Sequence, residues 1–499
     1  MMRKLLIILN VPIDDLNMAE ALERLDEFIA VGRETGKGHQ VATVNADFAV
    51  KALRDPELRY LLQEADMATA DGMPLVWGAR LLGVPMEGRV TGADMVPALA
   101  ERAAQKGYSL YLLGAAPGVA AHAGAIMQEK HPGLKIVGVC SPPYGPILEM
   151  DRSILDDIKA AKPDILLVAF GNPKQEKWIG MYGRELGVPV MIGIGGTLDF
   201  IAGETKRAPE WMQKSGLEWV FRLAQEPRRL WRRYVVDLTA FGSFFVRQWW
   251  FMRQGKASAP LLPTRDAVMV DDTAVLTVQG RLTVENHIAF LEKGQAALAE
   301  TPFLIVNLAE ATFLDSSALG ALVGLAKQAR DRDGKLWLTA VPKTIQQTLS
   351  LMRLDRFFDM LDDVAAGLAA RQARALLASA PTVVETPPAS KEQWQVTKMP
   401  RRLDAATVSN VQATCTALLA ENPYLALDCS EMVFLTSAGL AMLAQLHRQA
   451  EGQGGELRVA GCSQDALRVI EMTRFDRVLS LFESVTEATM AASNNGKKG

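Results

Sequence analysis

Over its first 215 residues the chain alternates short apolar runs with longer amphipathic stretches. The runs at 5–9, 41–44, 109–113, 135–139, 164–170 and 188–194 have the length of strands, while 18–31 and 118–130 carry apolar positions at helical spacing. Strand and helix in alternation predict a largely parallel sheet covered by helices, a Rossmann-like α/β domain over 1–215 with its first strand at 5–9. Residues 216–256 change character. They are basic and aromatic, with seven Arg and one Lys against three acidic residues over 218–256. Arg222, Arg229 and Arg233 are spaced i, i+7, i+11, which predicts one face of one helix. After a Pro- and Ser-containing linker comes an internal repeat. Shifted by 121 residues, 304–314 lies over 425–435 without a gap, and Gly334-Lys-Leu lies over Gly455-Glu-Leu. Each copy reads strand, helix, strand, short loop, helix, strand, helix, which gives two further α/β domains at 264–377 and 391–492.

Composition narrows the class. At 499 residues the chain is too long for one core, and 49% hydrophobic with 22% charged residues describes folded domains. A net charge of −3 leaves any electrostatic partner to local clusters, and no nucleic-acid partner is expected. Cys140, Cys415, Cys429 and Cys462 are scattered, which argues against a zinc site or disulfide framework and fits a reducing cytosol. Neither a metal nor an organic cofactor is expected. No window offers about 18 uninterrupted apolar residues, so no spanning helix is expected, and Asp237 and Arg247 interrupt the best stretch.

Polar clusters follow the apolar runs. Thr43 and Asn45 end one, Asp71-Gly72 ends a weaker one, and Gly193-Ile-Gly-Gly196 closes the last. Ligands of parallel α/β sheets bind at the carboxyl ends of strands, so these positions are candidate site residues. A carboxylate at such a junction can take a proton from a hydroxyl nucleophile, and glycines admit a diphosphate. The dinucleotide fingerprint and the Walker A sequence are both missing, which counts against a Rossmann oxidoreductase and a P-loop enzyme.

Taken in order, the motifs Thr43-x-Asn45, Asp71-Gly72, Arg89-Val-Thr-Gly-x-Asp94, Pro163-Asp-Ile-Leu-Leu-Val168, Gly171-x-Pro-Lys-Gln-Glu176, Gly193-x-Gly-Gly-x-x-Asp199 and Arg207-Ala-Pro209 closely resemble the WecG/TagA/CpsF family of bacterial glycosyltransferases over about 10–235. The resemblance implies transfer of a sugar (N-acetylmannosamine, its uronic acid or glucose) from a UDP donor to a polyprenyl-diphosphate-linked saccharide, in surface polysaccharide synthesis. It implies a protein peripheral on the cytoplasmic face of the membrane. By the same resemblance Asp71 is the general base, with Thr43 and Asn45 beside the acceptor or sugar. Arg89 and Gln175 become donor contacts, and Gly193, Gly195, Gly196 and Arg207 lie near the diphosphate. The family does not depend on an Asp-x-Asp metal motif, so arginines and backbone amides would stabilise the leaving UDP. Where many members have Gly-Tyr-Phe, this chain has Ser141-Pro-Pro-Tyr-Gly145. Arg222, Arg229 and Arg233 are expected to reach lipid phosphates, and Arg228 and Arg232 either these or the active site.

The repeated module resembles STAS domains, the fold of anti-sigma-factor antagonists, through Phe313-Leu-Asp-Ser-Ser-Ala-Leu-Gly320. That resemblance implies Ser316, and in the second copy Ser437, as phosphate acceptors from a partner kinase, or the modules as docking platforms for an anti-sigma-like partner. In the second copy Thr436 replaces the aspartate. The competing reading is an inactive nucleotide- or lipid-binding scaffold acting through the STAS domains.

Overall fold

The computed structural model describes residues 4–490 apart from 85, 146, 148–149, 216, 226, 256–263, 356, 380–393, 405–406, 433, 464–465, 468, 471–474 and 476–477. The chain divides into two compact units, one holding nearly all of 1–379 and the other chiefly 380–499.

The first eight strands are β1 (Leu5–Ile8), β2 (Val11–Asp14), β3 (His39–Val44), β4 (Met67–Ala70), β5 (Ser109–Gly114), β6 (Lys135–Cys140), β7 (Ile165–Ala169) and β8 (Val190–Gly193). Six of them form one parallel sheet in the order β4-β3-β8-β7-β5-β6. Its central strands β7 and β8 are apolar throughout because helices cover both faces, whereas edge strand β6 alternates exposed and half-buried positions. The Rossmann-like α/β expectation therefore holds.

The expected first strand does not join that sheet. β1 pairs antiparallel with β2 in a separate hairpin, and all four β1 residues are buried. The cover on one side is the helix Ser316–Asp331 of the first repeat, which packs along β1. Gly320 makes this possible, since a Cβ there would collide with the Leu5 carbonyl. Gln248 fastens the same junction. Its Oε1 accepts the Leu9 amide (2.8 Å), and its Nε2 donates to the Ile7 carbonyl (2.9 Å) and the Ser316 hydroxyl (3.1 Å). Lys327 Nζ donates to the Ala65 carbonyl at 2.7 Å, and Arg330 pairs with Glu64. Gln248→Ala should therefore cost about 2–4 kcal/mol, because buried groups lose partners at once. Denaturant unfolding of the full chain measures it, and a change below about 0.5 kcal/mol would show that water replaces the clasp.

The basic aromatic segment is helical over Glu218–Gln225 and Pro227–Gly255, with residue 226 outside the described residues. The longer helix packs on the helix Ala46–Arg54 and buries Phe241, Phe245 and Met252 in the transferase core, while Trp231, Val235, Val236, Val246 and Trp250 stay exposed. No helix among the described residues is long and apolar enough to cross a membrane.

The first repeat forms a five-stranded sheet of β9 (Val268–Val270), β10 (Thr273–Leu282), β11 (Phe303–Leu314), β12 (Lys335–Thr339) and β13 (Asp359–Leu361), ordered β13-β12-β11-β10-β9. Only β9 runs antiparallel. The second repeat has β14 (Gln395–Lys398), β15 (Arg402–Leu403), β16 (Tyr424–Asp428), β17 (Phe434–Leu435), β18 (Glu456–Ala460) and β19 (Ser480–Phe482). Here β14-β16-β18-β19 form a parallel sheet, and β15 pairs with β17. The offset is preserved in space, since the helix Ser316–Asp331 recurs as Ser437–Gly452. Where β10 carries register shifts after Thr277 and Gly280, the second copy splits into β14 and β15.

Candidate active site

The predicted site residues of the first domain gather at the carboxyl ends of β3, β4 and β8. Thr43, the penultimate residue of β3, is buried and donates its hydroxyl to the Gly193 carbonyl at the end of β8 (3.1 Å). Asn45 caps the following helix, its Oδ1 accepting the Phe48 amide at 3.2 Å. Asp71 directly follows β4 and is half-buried, its backbone amide bound to the Val44 carbonyl at 2.7 Å. A Cβ built on Gly72 would lie 3.7 Å from that of Asn45, which puts these two polar loops side by side.

Gln175 supports the glycine loop from below. It is buried, its Oε1 accepts the amides of Gly171 (3.1 Å) and Gly195 (3.0 Å), and its Nε2 donates to Glu176 Oε1 (2.8 Å). These bonds tie the Gln175 side chain to the loop and to its neighbour. A side chain at Gly193 would meet Gln175 Nε2 at 2.5 Å, so the glycine is required by close approach. Gly195 has φ +54°, and Gly196 precedes the short helix Thr197–Ile201.

Glu176 ends the Gly171-x-Pro-Lys-Gln-Glu176 motif, and the sequence alone assigns it no role. It is fully buried, and burial lifts its carboxyl pKa to about 7 against the smaller opposing effect of the Gln175 hydrogen bond. The folded state binds this proton more tightly than the unfolded chain, so Glu176 favours folding at low pH and that contribution is lost as pH rises from about 4.5 to 7. Relative to Glu176→Gln, wild-type stability should fall by about 3 kcal/mol across that window. Parallel urea titrations at both pH values test this, and parallel pH curves for the two proteins would contradict it.

The charged side of the site is an ion network that crosses into the appendage. Arg207 lies 2.7 Å from Asp94, and Glu218, first residue of the helix Glu218–Gln225, stands 3.8 Å from Arg207 and 3.6 Å from Arg89. Burial opposes the Arg207 charge, but the hydrogen bond to Asp94 and the charges of Asp94, Glu218 and Asp71 outweigh it and hold its pKa above the ordinary arginine value. The Asp71 carboxylate thus acts on Arg207 across the site. Among the described residues no hydrogen-bond acceptor meets the buried Nε and one buried terminal nitrogen of Arg207, the Nε standing 3.8 Å from Glu218. Buried donors of this kind suit an anion. Asp94 stays ionised for the complementary reason: burial would raise its pKa, and Arg207 and Thr91 more than offset that. Sequence reading missed Glu218 because nothing local ties it to residues 89 and 207.

Of the five predicted lipid-phosphate arginines, Arg228 is exposed, and the side chains of Arg222, Arg229, Arg232 and Arg233 lie outside the described residues. Ser316 is placed where no modifying enzyme reaches it in this arrangement: it is buried, begins its helix and accepts from Gln248. Asp315 caps that helix, accepting the amides of Ser317 (2.9 Å), Ala318 (3.0 Å) and Val284 (2.8 Å). In the second repeat Thr436 takes over the cap, its hydroxyl accepting the Gly439 amide at 3.4 Å, and the Ser437 side chain lies outside the described residues. No group of three or more His, Cys, Asp or Glu that could hold a metal occurs among the described residues.

A parallel α/β sheet thus carries a carboxylate, a glycine loop and an ion-paired arginine near its carboxyl edge. Residues 6–255 match the model of the glycosyl transferase WecG/TagA/CpsF family, and the chain belongs to that family. Residues 264–367 and 391–488 match the STAS domain model. An N-acetylglucosaminyldiphosphoundecaprenol N-acetyl-beta-D-mannosaminyltransferase of Bacillus spizizenii is 32% identical over 226 residues, covering 44% of this chain and 85% of its own length. The Staphylococcus aureus (strain MW2) protein of the same name is 28% identical over 225 residues, covering 45% of this chain and 86% of its own. Among solved structures, the unphosphorylated anti-sigma factor antagonist SpoIIAA is similar at 20% identity, covering 22% of this chain and 97% of its own at a TM-score of 0.19.

Proposed function

We propose that this glycosyltransferase moves N-acetylmannosamine from a UDP donor to a polyprenyl-diphosphate-linked N-acetylglucosamine, without a metal, in the synthesis of a surface polysaccharide such as a capsule, exopolysaccharide or wall polymer. Asp71 takes the proton of the acceptor hydroxyl as its oxygen bonds to C1 of the donor sugar. The bond from C1 to the diphosphate oxygen breaks, and UDP leaves with the electron pair. Arg207, Arg89 and the amides of the Gly193–Gly196 loop receive the charge that develops on the diphosphate. Thr43 and Asn45 fix the loops between which the sugar lies. The observation carrying this reading is the pair of unsatisfied buried donors on Arg207, within electrostatic reach of Asp71.

The same proposal sets the transferase at 1–215, the appendage at 216–256 and the STAS domains at 264–377 and 391–492. The exposed aromatic and aliphatic side chains of the appendage, with Arg228, rest on the inner face of the cell membrane. The STAS domains dock a partner, and phosphorylation of Ser316 would first require its domain to leave the β1–β2 hairpin. UDP binding in the presence of a chelator tests the donor half. Arg207→Lys keeps a charge beside Asp94 and Glu218 but loses the planar fork, so UDP affinity should drop about tenfold. Equal affinity in the two proteins would remove Arg207 from the donor site.

A further inference from the structure

A groove of about 940 Å³ opens where the transferase meets the first STAS domain. Four cations line it: Arg54 at the end of the helix Ala46–Arg54, Arg247 on the helix Pro227–Gly255, Lys343 at the start of the helix Lys343–Leu351, and Arg353 just beyond it. No carboxylate lines the groove, and among the described residues none of the four has an ion pair. Surface cations are ordinarily interspersed with acids, so four unpaired around one cavity repel each other unless an anion joins them. Two come from the transferase and two from the STAS domain. Gln346, Gln347 and Ser350 add neutral hydrogen-bonding groups on the STAS side. The helix Lys343–Leu351 has no side-chain cap, so the positive end of its dipole adds to the field. Leu53, Phe244 and Leu351 supply an apolar wall.

We propose that this groove binds an organic phosphate carrying two or more negative charges, which bridges the transferase and the STAS domain. Arginine forks match phosphate oxygens, the volume suits a small molecule or headgroup, and the apolar wall takes its carbon part. None of the lining residues belongs to the cluster at the strand ends, so the site is separate from the donor site proposed above. An anion held by both domains tightens the same junction that Gln248 clasps.

The test uses the full chain saturated with UDP, so that the donor site is filled, and inorganic pyrophosphate as the calorimetric probe. Wild type should bind it, and Arg54→Gln and Lys343→Gln should each weaken binding about tenfold although they lie on different domains. Neither change should lower the ligand-free melting temperature, and pyrophosphate should raise that temperature less in either variant than in wild type. Flotation with phosphatidylglycerol–phosphatidylcholine vesicles then separates the sources. Displacement of the wild-type protein from these vesicles by pyrophosphate identifies a lipid headgroup, and failure to displace it identifies a soluble phosphate. Identical pyrophosphate binding by wild type and both variants, or none by wild type at millimolar concentration, overturns the proposal whatever the outcome for the donor site.

Discussion

Asp71→Asn should lower the rate of sugar transfer by about 10²–10⁴-fold while leaving the fold intact. The substitution preserves size and the backbone hydrogen bond from residue 71 to Val44 that holds the loop at the end of β4. It removes the only property the mechanism needs there, a basic oxygen beside the acceptor hydroxyl. The loss should appear in kcat, with substrate affinities little changed, because the proton moves only in the transition state. Steady-state kinetics with an unchanged melting curve would establish it. A rate within a few fold of wild type would move the base elsewhere.

Gly320→Val should have the largest effect on the architecture. Gly320 lies inside the helix Ser316–Asp331, and any Cβ there collides with the Leu5 carbonyl, a backbone atom that cannot swing aside. The domain must either shift off the hairpin or strain it, at a cost of about 3–5 kcal/mol. Gly324, one turn on in the same helix, provides the control. A Cβ there would make an ordinary 3.7 Å contact with Leu5, so Gly324→Ala should be neutral or stabilise by up to about 1 kcal/mol through helix propensity. Denaturant unfolding, with limited proteolysis of β1 as local readout, distinguishes the two. Equal stability for Gly320→Val and wild type would mean that the first STAS domain does not dock on β1.

Much of this organisation is legible in the chain. The six strands of the parallel sheet lie at or beside apolar runs because helices cover both sheet faces, and the short, weak run before Asp71 is β4. The repeat offset of 121 residues carries over to helices and strands alike because both copies solve one packing problem. Asp71, Thr43 and Asn45 were visible as polar residues ending apolar runs, a local signal. What stayed hidden is long-range. A buried four-residue run fits a central strand and a covered hairpin equally, so residues 5–8 alone do not reveal that β1 is covered by a helix of the first repeat. Gln248 sits among aromatic residues with no mark of its three partners, and Glu218 gives no sign of joining Arg89 to Arg207. The burial of Glu176 follows from its packing beneath Gly193, which no spacing rule encodes.

The packing of the first STAS domain on the β1–β2 hairpin constrains any modification of Ser316. Ser316 is held by Gln248 at the hairpin, so any signal written on it must first pay the cost of opening that junction. The groove proposed to hold an organic phosphate is lined from the same two domains, so a ligand there would oppose opening.

The most direct measurement is UDP release by the full-length protein supplied with UDP-N-acetylmannosamine and a polyprenyl-diphosphate-linked N-acetylglucosamine, in the presence of chelator. Turnover that requires both substrates and collapses in Asp71→Asn is the predicted result. UDP binding without release, across a panel of UDP-sugars and acceptors, would contradict it and leave the chain a nucleotide-binding scaffold for its STAS domains.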